Sequence, residues 1–167
     1  MRILGIDPGT IMMGFGVIES ADEIITVLDY GALKTSARSP IGERLSYLYR
    51  ELLKIISRYQ PEALAIEQPF ISKNVRSALA IGRSQAVAIL ADARSPVIVC
   101  AYEYTPAQVK QRVANYGASS KEQIQEMVRL QLGLSQVPQP DDAADALAVA
   151  LCHLAETRLS NLLARQH

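Results

Sequence analysis

Cysteine is scarce in this 167-residue chain: only Cys100 and Cys152 are present, at a spacing that suits neither a disulfide framework nor a paired metal site. That excludes a small stapled scaffold and points to a reducing compartment, with the cytoplasm as the expected location. Long apolar runs are missing too. The opening Met1-Arg2-Ile3-Leu4-Gly5-Ile6 is stopped by Asp7, far short of a signal-peptide core, and no stretch approaches transmembrane length. Neither secretion nor membrane insertion is expected. Net charge is absent, with 17 basic residues against 17 acidic ones, so overall charge gives no argument for a polyanionic partner. There are no internal repeats, and only two phenylalanines, Phe15 and Phe70.

What remains is 49% hydrophobic, which suits one well-buried domain over residues 1–167 and leaves too little chain for two. The charge is unevenly spread. Residues 73–121 carry Lys73, Arg76, Arg83, Arg94, Lys110, Arg112 and Lys121 against Asp92 and Glu103, whereas both flanking segments are net acidic. A basic middle between acidic ends fits a polyanion-binding face beside an acidic pocket, and equally a set of solvated helix faces.

Arg2–Asp7, Gly14–Ser20 and Ile24–Thr35 read as three strands, with turns at Pro8-Gly9 and near Ala21-Asp22. Between Ile41 and Tyr59, apolar residues at Leu45, Leu48, Leu52, Ile55 and Ile56 recur at helical spacing. Ala63–Glu67 reads as a buried central strand, 75–92 as a helix, and Val97–Tyr102 as a further buried strand. Thr105-Pro106 and Ser119-Ser120 open two more helices, and Gln139-Pro140-Asp141-Asp142 opens the last. This order predicts an α/β fold with a mixed sheet flanked by helices, hairpins first and crossovers later.

The last helix begins with an unusual density of acid, Gln139-Pro140-Asp141-Asp142-Ala143-Ala144-Asp145. Capping accounts for Asp141 or Asp142 but not for all three, since Asp145 lies a turn inside and shares a face with Asp142. Asp7 and Glu67 end strands that parallel pairing would bring to one edge of the sheet, the edge where such folds bind ligands. If the helix starts there, Asp7, Glu67, Asp142 and Asp145 converge. Four carboxylates in one pocket require cations, and hard divalent ions such as Mg²⁺ or Mn²⁺ take oxygen ligands. Two such ions about 3.5 to 4 Å apart can activate water and stabilise a leaving oxygen during phosphodiester cleavage.

Gly5-Ile6-Asp7-Pro8-Gly9-Thr10 with Gly14–Glu19, Ala65–Phe70, Ser72-Lys73-Asn74, Ser77–Leu79, Ala107–Gln111 and Asp142–Ala148 resemble, in order, the bacterial RuvC-type Holliday-junction resolvases. The resemblance spans Ile3 to about His153. It implies an RNase H-like mixed five-stranded sheet, a homodimer, paired symmetric nicking of four-way DNA junctions with two Mg²⁺ or Mn²⁺ ions per site, and association with a RuvAB branch-migration complex. Carried over by residue, the metal ligands fall on Asp7, Glu67, Asp142 and Asp145, leaving Asp141 as a cap. Phe70 matches an aromatic that wedges against bases, and Lys110 and Lys121 match residues that contact phosphates. Lys73, Asn74 and Arg76, in and after the Ser-Lys-Asn motif, are read as further DNA contacts. Arg83-Ser84-Gln85-Ala86 departs from the family pattern, and no DNA contact is assigned to it. Ala78, Gly82 and Ala86 form a small-residue stripe, flanked by Leu79, Val87 and Leu90, on which a helix could pack against its own copy.

Gly5–Thr10 also resembles the phosphate-binding hairpin of the actin, Hsp70 and sugar-kinase ATPases. Those bind ATP between two such domains, whereas this chain offers one and lacks a second glycine-rich phosphate loop. A junction-binding module without catalysis is the other rival, and retention of all four acids argues against it. His153, about two turns beyond Asp145, fits a structural role better than a ligand.

Overall fold

A computed structural model describes residues 1–22, 24–68, 75–93, 100–115, 117 and 119–165. The elements are β1 (Arg2–Asp7), β2 (Met12–Ala21), β3 (Ile24–Lys34), α1 (Ile41–Tyr59), β4 (Ala63–Glu67), α2 (Val75–Ala93), β5 (Cys100–Tyr104), α3 (Pro106–Ala114), α4 (Lys121–Gln131) and α5 (Asp141–Ala164). The sheet order is β3-β2-β1-β4-β5, with β1, β2 and β3 antiparallel and with β4 parallel to both β1 and β5. This is the mixed five-stranded sheet that the sequence predicts.

Strand alternation sorts the core into two layers. Ile3, Ala63 and Ala65 turn toward α3, α4 and α5, while Leu4, Ile6, Leu64 and Ile66 turn toward α1 and α2. The α1 helix buries Leu48, Leu52 and Ile56 along one stripe, spaced by four residues as an amphipathic helix requires. Capping boxes at Thr105 with Gln108 and at Ser120 with Gln123 start α3 and α4 where the sequence places them.

The fifth strand differs from expectation. It covers Cys100–Tyr104 rather than 97–102, and it is exposed except at Tyr104; residues 94–99 lie outside the described part. An apolar run suggested a buried strand, but among the described residues β5 pairs with β4 alone and forms an edge of the sheet.

The α5 helix lies almost directly on the backbone of β1 and β2. A Cβ placed on Gly5 would collide with the carbonyl oxygen of Ala146, one on Gly14 with that of Asp142, and one on Gly16 with the Leu147 side chain. Ala146 and Ala150, which meet Gly5, are equally small and buried. Close approach is therefore built from both sides. Among the described residues, no helix is long and apolar enough to cross a membrane.

Gly14→Ala should destabilise the fold by about 1–3 kcal/mol in denaturant titrations, because the methyl group meets helix backbone that cannot move aside cheaply. Gly42→Ala, where the added carbon would meet nothing within 4 Å, should be neutral or stabilising by up to about 1 kcal/mol. Equal effects at the two positions would refute the close contact as a determinant of the fold.

Candidate active site

β1 and β4 are paired in register from Ile3 with Ala63 to Ile6 with Ile66, so their next residues, Asp7 and Glu67, end adjacent strands side by side. Both follow the alternation of Ile3, Ala63 and Ala65 and face α5. Gly14 pairs with Asp7 across β1 and β2 and supports the first turn of α5 at Asp142. Asp145 follows one turn later on the same helix face. Strand ends and a helix start thus place the four expected carboxylates at one end of the sheet, near enough for the charges of Glu67, Asp145 and Asp142 to act on Asp7.

Lys121, the first residue of α4, reaches across with its Nζ 2.9 Å from Asp145 Oδ2 and 3.5 Å from Asp141 Oδ2. A cavity of about 260 Å³ between α3, α4 and α5 is lined by Glu67, Lys110, Lys121 and Asp145, with Val109 and Ile124 forming an apolar wall.

The electrostatics record the crowding. Burial pushes the Asp7 carboxyl up to about 8, reinforced by the charges of Glu67, Asp145 and Asp142 and opposed by Lys121. Burial and then the Asp145 charge push Glu67 up to about 7 against the pull of Lys110 and Lys121. Asp145 is also raised, because burial outweighs the hydrogen bond and charge of Lys121. For Lys121, burial acts downward but the hydrogen bond and charge of Asp145, with Asp141, raise it overall. The carboxylates outnumber the ammoniums of Lys110 and Lys121 beside them, and their oxygen-only donor set suits a hard divalent cation. Among the described residues, no three His, Cys, Asp or Glu side chains close on one point, and the Lys121 ammonium supplies the positive charge beside Asp145 instead.

Asp141 does not cap the helix. Pro140 occupies the N-cap without any side-chain cap bond, and Asp141 is the first helical residue, exposed and paired with Lys121. Its charge still sits in the first turn, where the helix dipole favours it. The Asp141–Lys121 pair was invisible in the sequence because the partners are twenty residues apart on different helices.

His153 belongs to the core. It is 3% exposed, its Nδ1 shares a 2.7 Å hydrogen bond with the Tyr104 hydroxyl, and its ring lies 4.4 Å from that of Tyr102. Burial lowers its pKa, and its bond to Tyr104 fastens β5 to α5. Arg112 is paired with Glu156 at 2.6 Å and ties α3 to α5. Lys110 lines the cavity, as a phosphate contact would require. Arg76 lies exposed in the first turn of α2. Phe70, Lys73 and Asn74 lie outside the described residues. In the segment that departs from the family pattern, Ser84 and Gln85 are buried and only Arg83 and Ala86 are exposed.

A family profile described as Crossover junction endodeoxyribonuclease RuvC matches residues 3–153. The relative of that name from Dehalococcoides mccartyi strain BAV1 is 52% identical over 165 residues, covering 99% of this chain and 98% of its own. That from Chloroflexus aggregans is 54% identical over 153 residues, covering 92% of each. Among solved structures, T. thermophilus RuvC in complex with a Holliday junction substrate is 35% identical with a TM-score of 0.89 over 96% of each chain. The yeast mitochondrial Holliday junction resolvase Ydc2, 14% identical with a TM-score of 0.64 over 92% of this chain and 78% of its own, is alike in fold.

Because the folded-state pKa values of Asp7 and Glu67 lie above their ordinary values, the folded chain holds protons that the unfolded chain releases. Stability in EDTA should therefore fall as pH rises from about 4 to about 8 and level off beyond. Asp7→Asn should remove much of that fall and melt above the wild type at pH 8.5, with little difference near pH 4. Thermal melts across this range test it, and an unchanged pH profile in Asp7→Asn would refute the carboxylate crowding.

Proposed function

The chain belongs to the RuvC family of crossover junction endodeoxyribonucleases, and on that premise we propose that it resolves four-way DNA junctions by paired, symmetric hydrolytic nicks in recombination and repair. The observation that carries this reading is the meeting of Asp7, Glu67, Asp142 and Asp145 at one sheet edge, with Lys110 and Lys121 beside them. The family is metal-dependent, and the oxygen donors and the charge deficit fit that requirement.

In this reading the four carboxylates hold two Mg²⁺ or Mn²⁺ ions. Such ions supply a water of lowered pKa and stabilise charge on the attacked and leaving oxygens. The chain's own residues do the rest. Strand ends fix the backbones of Asp7 and Glu67, and the close seat of α5 on β1 and β2 fixes those of Asp142 and Asp145, so the acids are held in place before the reacting phosphate arrives. Lys110 and Lys121 bind phosphate oxygens. Lys121 would exchange Asp145 for a phosphate oxygen, a move that its flexible four-carbon stem allows. Phe70 wedges against bases at the junction centre, and Lys73, Asn74 and Arg76 contact the backbone nearby.

Paired nicks require two sites, and we assign the second to another copy of the chain. The α2 helix supports this: Val75, Leu79 and Leu90 are 66%, 56% and 57% exposed, and a carbon on Gly82 would meet nothing within 4 Å. Val87, by contrast, is spent in the chain's own core and drops out of the expected interface. The reading also takes residues 1–167 as one nuclease domain, cytoplasmic, working with a RuvAB branch-migration complex.

Labelled four-way junction with Mg²⁺, beside linear duplex, tests the activity. Asp7→Asn, Glu67→Gln, Asp142→Asn and Asp145→Asn should each lower cleavage by about 10²-fold or more, corresponding to a few kcal/mol of lost transition-state stabilisation, while junction binding in EDTA persists. Asp141→Asn should retain most activity. If Asp141→Asn is as inactive as Asp145→Asn, the ligand assignment is wrong, and a wild type that binds without cutting would leave a binding module.

Gly82→Leu should sediment as a folded monomer and lose the coupling between the two nicks. A folded dimer with normal paired cuts would rule out α2 as the interface.

A further inference from the structure

A cavity of about 580 Å³ opens between the end of β3 and the start of α1. Three cationic side chains line it, Lys34, Arg44 and Arg50, together with the hydroxyls of Ser36, Ser39 and Ser46. Glu43 is the acidic side chain among the lining residues. No carboxylate lies within ion-pairing distance of Lys34, Arg44 or Arg50 among the described residues. Arg44 Nε is buried and has no hydrogen-bond partner among the described residues. A fixed excess of positive charge therefore stands in a concave, hydroxyl-rich space, with one buried donor unspent. Pro40, at the N-cap of α1, provides no side-chain cap, and Ser39, Gly42 and Glu43 bring that helix start to the same wall.

The cavity is bolted to the acid site. The Thr35 hydroxyl donates to the Thr10 carbonyl at 2.6 Å, and Arg44 Nη1 donates to Thr10 Oγ1 at 3.4 Å. Thr10 is in the turn that follows Asp7. Asp7 pairs with Gly14, and Met12 pairs with Lys34 on the far side of β2. Two strand spacings across and two residues along place Lys34 roughly 12 Å from Asp7, on the order of three to four base-pair rises of duplex DNA.

We propose that this cavity is a phosphodiester-binding pocket that grips the backbone of a junction arm a few nucleotides from the cut. The inference rests on the chain acting on junction DNA, and it adds a contact outside the residues assigned to the site above. Cationic side chains with flexible stems and hydroxyl donors recognise phosphate without reading base sequence, so the pocket fixes register on the arm rather than the cleavage sequence. Its rigid link through Thr10 transmits that register to Asp7.

The test compares wild type with the double variant Lys34→Ala/Arg50→Ala, whose exposed side chains leave the core untouched. Junction binding is measured in EDTA across a salt series, with single methylphosphonates scanned along the strand beside the cut. Removal of one or two phosphate contacts should lower affinity at low salt by about tenfold and make the plot of log K against log salt shallower by about 1 to 2. Wild type should lose affinity when one arm phosphate a few nucleotides from the nick is neutralised, and the double variant should be indifferent to that substitution. Unchanged affinity and salt slope in the double variant, with wild type cutting the junction normally, would overturn the pocket alone. Inorganic phosphate or a mononucleotide that binds wild type but not the variant, with equal junction binding by both, would assign the pocket to a small ligand and overturn the DNA contact. A wild type that neither binds nor cuts the junction overturns the nuclease reading, and with it this one.

Discussion

The near contact between α5 and the backbones of β1 and β2 governs the whole arrangement. A helix normally stands off a sheet by the depth of its side chains, but here glycine on the strands and alanine on the helix remove that depth. The consequence is positional rather than energetic. Burying alanine yields little free energy per residue, yet the backbone contact at Gly14 sets where the first turn of α5 begins, and that turn carries Asp142 and Asp145. One helical turn of slippage would separate them from Asp7.

Electrostatics work against the same arrangement. Bringing Asp7, Glu67 and Asp145 into half-buried surroundings raises all three carboxyls, which is a folding cost that the hydrophobic layers on either side of the sheet must offset. Lys121 relieves part of it by bridging Asp145 and Asp141. A lysine held by two carboxylates is an internal counterion. Sites that store such tension are where structure departs from maximal stability for the sake of chemistry.

Away from the acids the surface divides by function. On α2, Val75, Leu79 and Leu90 are exposed, the face proposed above for a second copy of the chain. The edge strand β5 is held down from one side by His153, whose buried bond to Tyr104 fastens the end of β5 to α5 beside the Glu67 position. The basic cavity between β3 and α1 lies on the far side of the turn after Asp7 and shares its scaffold through Thr10. One sheet edge therefore carries an acidic centre with basic flanks, the layout that a reaction on a polyanion needs.

Much of this was legible from residue order alone. The short apolar runs in Arg2–Asp7 and Ala63–Glu67, the helical spacing of Leu48, Leu52 and Ile56, and the Thr105 and Ser120 caps are local signals, each written within a few residues, and they determined the element order and the mixed sheet. The strand-end positions of Asp7 and Glu67 and the Asp142–Asp145 spacing were local too, but their approach was read on the condition that β1 and β4 pair in parallel and that α5 starts at the same sheet end, which the fold meets. What the sequence could not decide depends on partners far apart in the chain. Pro140 took the N-cap from Asp141, β5 went to an exposed edge instead of the interior, Val87 turned inward, and Arg112 was taken up by Glu156. So too with Lys121 against Asp141, and with Arg44 against Thr10. Periodicity and capping report the shape of one segment, whereas side-chain pairing and burial are settled by which segments meet, and that is decided only when the sheet and its helices have assembled.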